Sequence, residues 1–138
     1  GQVYEIEGKK FFTMGGGEDP EYDLHENDDD IIRKEIPTSQ EMLTGVSNLE
    51  KNEYKVDYIV SHEPPAKIRD FLRLSDSKTL RVTALGAYFD ELSQQCEFKK
   101  RFFGSMHEDK YITDKYVALF RNIINTEKEP KQKKLFSK

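Results

Sequence analysis

The sequence predicts an α/β (α+β) fold, a β-sheet flanked by helices. Three observations predict it. Short apolar runs bounded by glycine or proline recur along the chain as strands. Stripes of apolar residues at helical spacing lie between those runs. Aromatic residues make up 12% of the chain, too many for a disordered sequence and enough for a modest core. The 138 residues fit one domain or a piece of one.

The first element is a β-hairpin. Val3-Tyr4-Glu5-Ile6 alternates, Glu7-Gly8 supplies the turn, and Lys10 to Met14 continues as the second strand. Gly15-Gly16-Gly17 ends it and permits a close backbone approach. Residues 18–30 then hold eight acidic residues and neither Lys nor Arg, so 18–35 reads as an acidic loop insertion, solvated as like-charge blocks usually are. A helix follows Pro37, because Thr38-Ser39-Gln40-Glu41 is a capping box. Met42, Leu43, Val46 and Leu49 share one face of it, and Lys51-Asn52-Glu53 closes it.

Val56 to Val60 reads as a buried strand that runs into Ser61-His62-Glu63-Pro64-Pro65. Two prolines stop the strand and leave His62 at its carboxyl end, where ligand sites of α/β sheets gather. Ala66 to Leu74 forms a short helix. A second stripe, Leu85, Tyr88, Phe89, Leu92 and Cys96, makes a clearer helix capped by Ser77 or Thr79. Phe98 to Phe103 is the next strand, ending at Gly104-Ser105-Met106-His107. A last hairpin turns at Thr113-Asp114 into Lys115 to Phe120. Residues 126–138 carry five Lys and two Glu with little apolar content and read as a lysine-rich disordered tail.

Composition excludes several classes. A formal charge of -4 does not indicate a nucleic-acid binder. No apolar run approaches the roughly 20 residues of a membrane span. The single cysteine, Cys96, forbids an intrachain disulfide and, with no signal-like start, favours a cytoplasmic setting. Cys96 itself reads as a small apolar residue on a helix face rather than a nucleophile.

Of three histidines, His25 lies in the acidic loop, whereas His62 and His107 each follow a predicted strand. Neutral imidazole on a short loop off a rigid sheet suits Zn, Mn or Fe. The words around these histidines, in order, carry a resemblance. Val56 to Pro65 gives a hydrophobic strand, a serine, a histidine and a proline. Phe102-Phe103-Gly104-Ser105-Met106-His107 resembles a final G-H-x-H motif. The opening hairpin ending in glycines and the closing hairpin fit the same pattern. Over residues 1–125 the chain resembles the carboxy-terminal half of the calcineurin-like metallophosphoesterases.

The resemblance implies half of an αββα sandwich, a mixed β-sheet with about two flanking helices. It also implies a two-metal hydrolase site of Mn, Fe or Zn that activates water and clamps phosphoryl oxygens. By position, His62 and His107 match metal ligands, one for each metal. Ser105 replaces the first histidine of G-H-x-H, and a serine hydroxyl is a much poorer ligand. The family's D-x-H, G-D and G-N-H-D/E motifs fall before the region where this chain begins. Asp23-Leu24-His25 spells D-x-H, but in the acidic loop rather than after a first strand.

The expected function is therefore a pseudoenzyme-like half-domain with no catalytic residues of its own. It acts by protein binding, as a regulator or inhibitor, or as a homo-oligomer. The alternative is a fragment, or one half of a split phosphoesterase, that takes Mn, Fe or Zn only when another chain completes the site. Gly1 is not a natural translation start, which points to trimming or tag removal. An acid–base set of Glu63, His62 and His107 ranks last.

Overall fold

The first turn is set by two residues. Glu7 and Gly8 both take left-handed backbone conformations, with φ of 52° and 78°. That pair gives the hairpin twist that matches two flanking strands. In the computed structural model, which describes residues 1–17, 36–72, 83–121, 124 and 126, the turn joins β1 (Gln2–Ile6) to β2 (Lys9–Met14). The rest of the described chain forms α1 (Ser39–Lys51), β3 (Tyr58–Ser61), α2 (Ala66–Leu72), α3 (Ala84–Gln95), β4 (Lys100–Phe103), β5 (Lys110–Tyr111) and β6 (Tyr116–Ala118).

The six strands form one mixed sheet in the order β1-β2-β3-β4-β6-β5. β2, β3, β4 and β6 are parallel, and each outer pair is antiparallel. The winding runs one way across the sheet. Parallel crossovers are right-handed, so two that advance in the same direction deliver their helices to the same face. Packing agrees. Leu49 of α1 and Leu85, Phe89 and Leu92 of α3 share one cluster with Phe12, Met14 and Ile59 of the sheet. Each fully buried Phe or Leu contributes about 1.5–3 kcal/mol there.

Alternation sends the neighbouring strand residues to the other face. There Tyr58, Phe102 and Val117 form a second cluster with Phe11, Tyr111, Leu119 and Ile124. No described helix contributes to it. Among the described residues, one face is therefore helix-covered, and the other carries only the last hairpin and the segment after β6.

The helices begin where side chains can cap them. Thr38 accepts from the Glu41 N–H at 3.1 Å while Glu41 accepts from the Thr38 N–H at 3.1 Å, the reciprocal arrangement read from the sequence. Gly45 lies where α1 meets α3. An added Cβ would come 2.5 Å from the Tyr88 hydroxyl, which donates to the Met42 carbonyl at 2.7 Å.

Several expectations need correction. Leu43 is exposed, because the face of α1 that meets the sheet is made by Val46, Leu49 and Met42. β3 starts at Tyr58, since Val56 and Lys55 pair instead with Glu97 just before β4. β4 accordingly starts at Lys100 rather than Phe98. The N-cap of α3 is Thr83, whose hydroxyl accepts from Gly86 N–H at 2.9 Å; Ser77 and Thr79 lie outside the described residues. Among the described residues there are three helices, not about two. The acidic loop at 18–35, His25 with it, and the tail beyond Thr126 also lie outside the described residues.

Candidate functional site at the carboxyl edge of the sheet

The parallel register aligns three strand ends. Met14 pairs with Ser61, and Ser61 with Phe103. The segments that leave those ends, Gly15–Gly17, Ser61–Pro65 and Gly104–His107, therefore emerge side by side. The His62 carbonyl joins two of them, accepting from the Gly104 N–H at 3.0 Å and the Ser105 N–H at 2.9 Å.

Glycine makes the approach possible. A Cβ on Gly17 would meet the Glu63 Oε1 at 2.9 Å and the His62 Cδ2 at 3.1 Å. A Cβ on Gly104 would lie 3.9 Å from the His62 Nδ1. The imidazole thus sits between Gly17 and Gly104, and it remains open to solvent. Its neighbour Glu63 points the other way in character. Glu63 is buried and ion-paired with buried Arg69 of α2. The His62 Nε2 is 4.0 Å from the Glu63 Oε1.

A buried polar layer supports this edge from the helix side. The Ser61 hydroxyl donates to the Glu63 carbonyl at 2.6 Å and accepts from the Arg101 Nη2 at 2.9 Å. Arg101 is fully buried in β4 with its guanidinium 4.1 Å from the Phe89 ring centroid. Among the described residues its Nε and Nη1 find no hydrogen-bond partner. Burial pushes its pKa down to about 9, which leaves it charged at neutral pH. A charged group held mainly by a serine, a carbonyl and a ring is a costly core residue.

His107 is placed differently. Its backbone is left-handed, with φ of 55°, and its ring stacks on Phe120 with centroids 5.2 Å apart. The side chain is exposed. Nearby, the Ser105 Oγ is buried without a hydrogen-bond partner. Such a non-glycine positive φ is strained for a histidine and is held by its surroundings.

The structure brings His62, Ser105 and His107 to one edge. Their donor set does not fit a two-metal clamp. Among the described residues no group of three His, Cys, Asp or Glu can hold a metal ion. The carboxylate beside His62 is taken up by Arg69, and Ser105 offers a neutral hydroxyl. The acid–base set of Glu63, His62 and His107 meets the same obstacle at Glu63. Cys96 is buried at the end of α3, where burial pushes its thiol up to about 11 and disfavours the thiolate that a nucleophile needs.

Sequence reasoning missed Arg69 and Arg101. Arg101 had little signal, because it is the last of three consecutive cations, Lys99-Lys100-Arg101, and only the fold buries it on the helix side. Arg69 had none, since an arginine in a short amphipathic helix is ordinary. Among the described residues no helix is long and apolar enough to cross a membrane. Comparison with family models, with curated proteins and with solved structures finds no match to this chain.

Proposed function

We propose that the chain is a non-catalytic, metallophosphoesterase-like half-domain that acts by binding protein through the sheet face opposite its helices. One observation carries this reading. On that face Tyr4, Ile6 and Val60 are 52%, 56% and 39% exposed, although β-sheet residues of this kind are normally covered. They flank Phe11 and Tyr58, whose rings lie 5.1 Å apart, so the apolar surface is continuous across β1, β2 and β3. In the αββα architecture that face would pack on a second sheet, roughly 10 Å away. A second copy, or another protein with an apolar sheet or loop, fits the same role.

Light scattering over a range of concentrations tests the reading, together with the fluorescence of an apolar dye. Wild type is expected to dimerise or to bind the dye on this face. Val60→Asp and Ile6→Glu, both at exposed positions, are expected to abolish that signal without unfolding the chain. A monomer that binds no dye, with both variants indistinguishable from it, would overturn the proposal.

The alignment of His62 and His107 at one sheet edge favours a second reading, one half of a split phosphoesterase. Its test is hydrolysis of a generic phosphodiester with added Mn. No turnover is expected from the chain alone. Turnover that vanishes in His62→Ala would replace the binding reading with the catalytic one.

A further inference from the structure

The opposite end of the sheet carries a cavity of about 800 Å³. It lies at the amino ends of the parallel strands, away from His62. The described residues lining it include Lys9, Lys99, Lys100 and Lys115, with Asp114 the one acidic residue among them. The sequence places these lysines in three separate segments, so the fold gathers them. Parallel pairing sets Lys9 at the start of β2 and Lys100 at the start of β4, and Lys115 directly precedes β6.

Two of the ammonium groups are held in place. The Lys115 Nζ lies 4.0 Å from the Phe98 ring centroid, a cation–π contact. The Lys99 Nζ lies 3.3 Å from the Asp57 Oδ1. Asp57 is fixed in turn by the Lys10 N–H at 2.8 Å. Lys100 is only 5% exposed and forms part of the buried wall.

We infer that this pocket binds a small molecule bearing a multiply charged phosphate group. Convergent lysines are point charges that match a polyvalent oxyanion without demanding a planar partner. No arginine is among the described lining residues, so the planar two-pronged recognition of a carboxylate has no donor there. The cavity falls within the range of small-ligand pockets, about 300–1,000 Å³. Lysines gathered around one opening favour a small ligand over a nucleic-acid polymer, which needs an extended basic surface. Tyr58 also lines the pocket, so it borders the sheet face of the protein-binding reading, but this inference rests on the lysines at the amino-terminal end and not on the exposed Tyr4, Ile6 and Val60.

Calorimetric titration with inorganic tripolyphosphate tests it, at about 0.15 M ionic strength to suppress diffuse charge effects. Saturable one-to-one binding is expected. Lys115→Ala and Lys99→Ala should each weaken it about tenfold. Lys51→Ala, on the helix-covered side of the sheet and not among the described lining residues, should leave it unchanged, and circular dichroism should show all three variants folded. Absence of saturation overturns the inference, as does an equal loss in Lys51→Ala. Tighter binding to anionic phospholipid vesicles or to duplex RNA than to tripolyphosphate also overturns it, by assigning the lysines to a macromolecular surface.

Discussion

Cys96 shows how burial alone decides a residue's chemistry. The thiol sits at the end of α3 beside Leu92, inside the larger core. Burial raises its pKa from 9.0 to about 11, because the thiolate would lose its hydration there. Two outcomes follow. In the native chain iodoacetamide at pH 8 should label Cys96 far more slowly than in urea, read by mass spectrometry. Since the folded chain holds the proton more tightly, the thiol's contribution is fully present below pH 9 and is lost as pH rises towards 11. The stability difference between wild type and Cys96→Val should shift in that window and stay flat below it. Tyr88 behaves alike, its hydroxyl pushed up to about 12 by burial while it donates to Met42.

At the scale of elements, α1 was the most legible part of the chain. Its capping box is a purely local signal, and local signals survive folding unchanged. Thr38→Ala should cost about 1 kcal/mol in urea denaturation, and Thr38→Ser much less. The Glu41 carboxyl is held low chiefly by the Thr38 N–H, so part of the cap's contribution should fade as pH falls into the acid range. The hairpins were legible for the same reason, since turn chemistry sits within a few residues. Boundaries were less so. β3 and β4 both begin later than apolar content suggests, because Val56 and Phe98 are buried beside the strands rather than within them. Periodicity marks burial, and burial extends beyond the ladder of strand hydrogen bonds.

The candidate site divides in the same way. His62 was legible because proline stops its strand. The Glu63–Arg69 pair and the Ser61–Arg101 contact were not, because each joins a strand end to a residue whose position only tertiary packing fixes. The basic pocket was hidden more deeply. Its lysines lie far apart in sequence among many others, and only strand pairing assembles them.

For the whole molecule, position in the sheet should rank local stability. β3 and β4 have neighbours on both sides, whereas β1 and β5 are edges. Amide exchange measured by mass spectrometry should be slowest for Tyr58–Ser61 and Lys100–Phe103 and fastest for Gln2–Ile6 and Lys110–Tyr111. The reverse ranking would mean that the edges are covered in solution and would favour assembly through them.

The one-way winding of the strands has a further meaning. Doubly wound sheets reverse direction once, and the point of reversal opens a crevice between diverging loops that a ligand can enter. Among the described parallel strands, β2, β3, β4 and β6, the order never reverses, so no such crevice opens along the carboxyl edge. A reaction chamber there needs a wall from outside this sheet. The proposed binding role asks only for a docking plate, whereas the catalytic alternative asks for a second layer set against this edge.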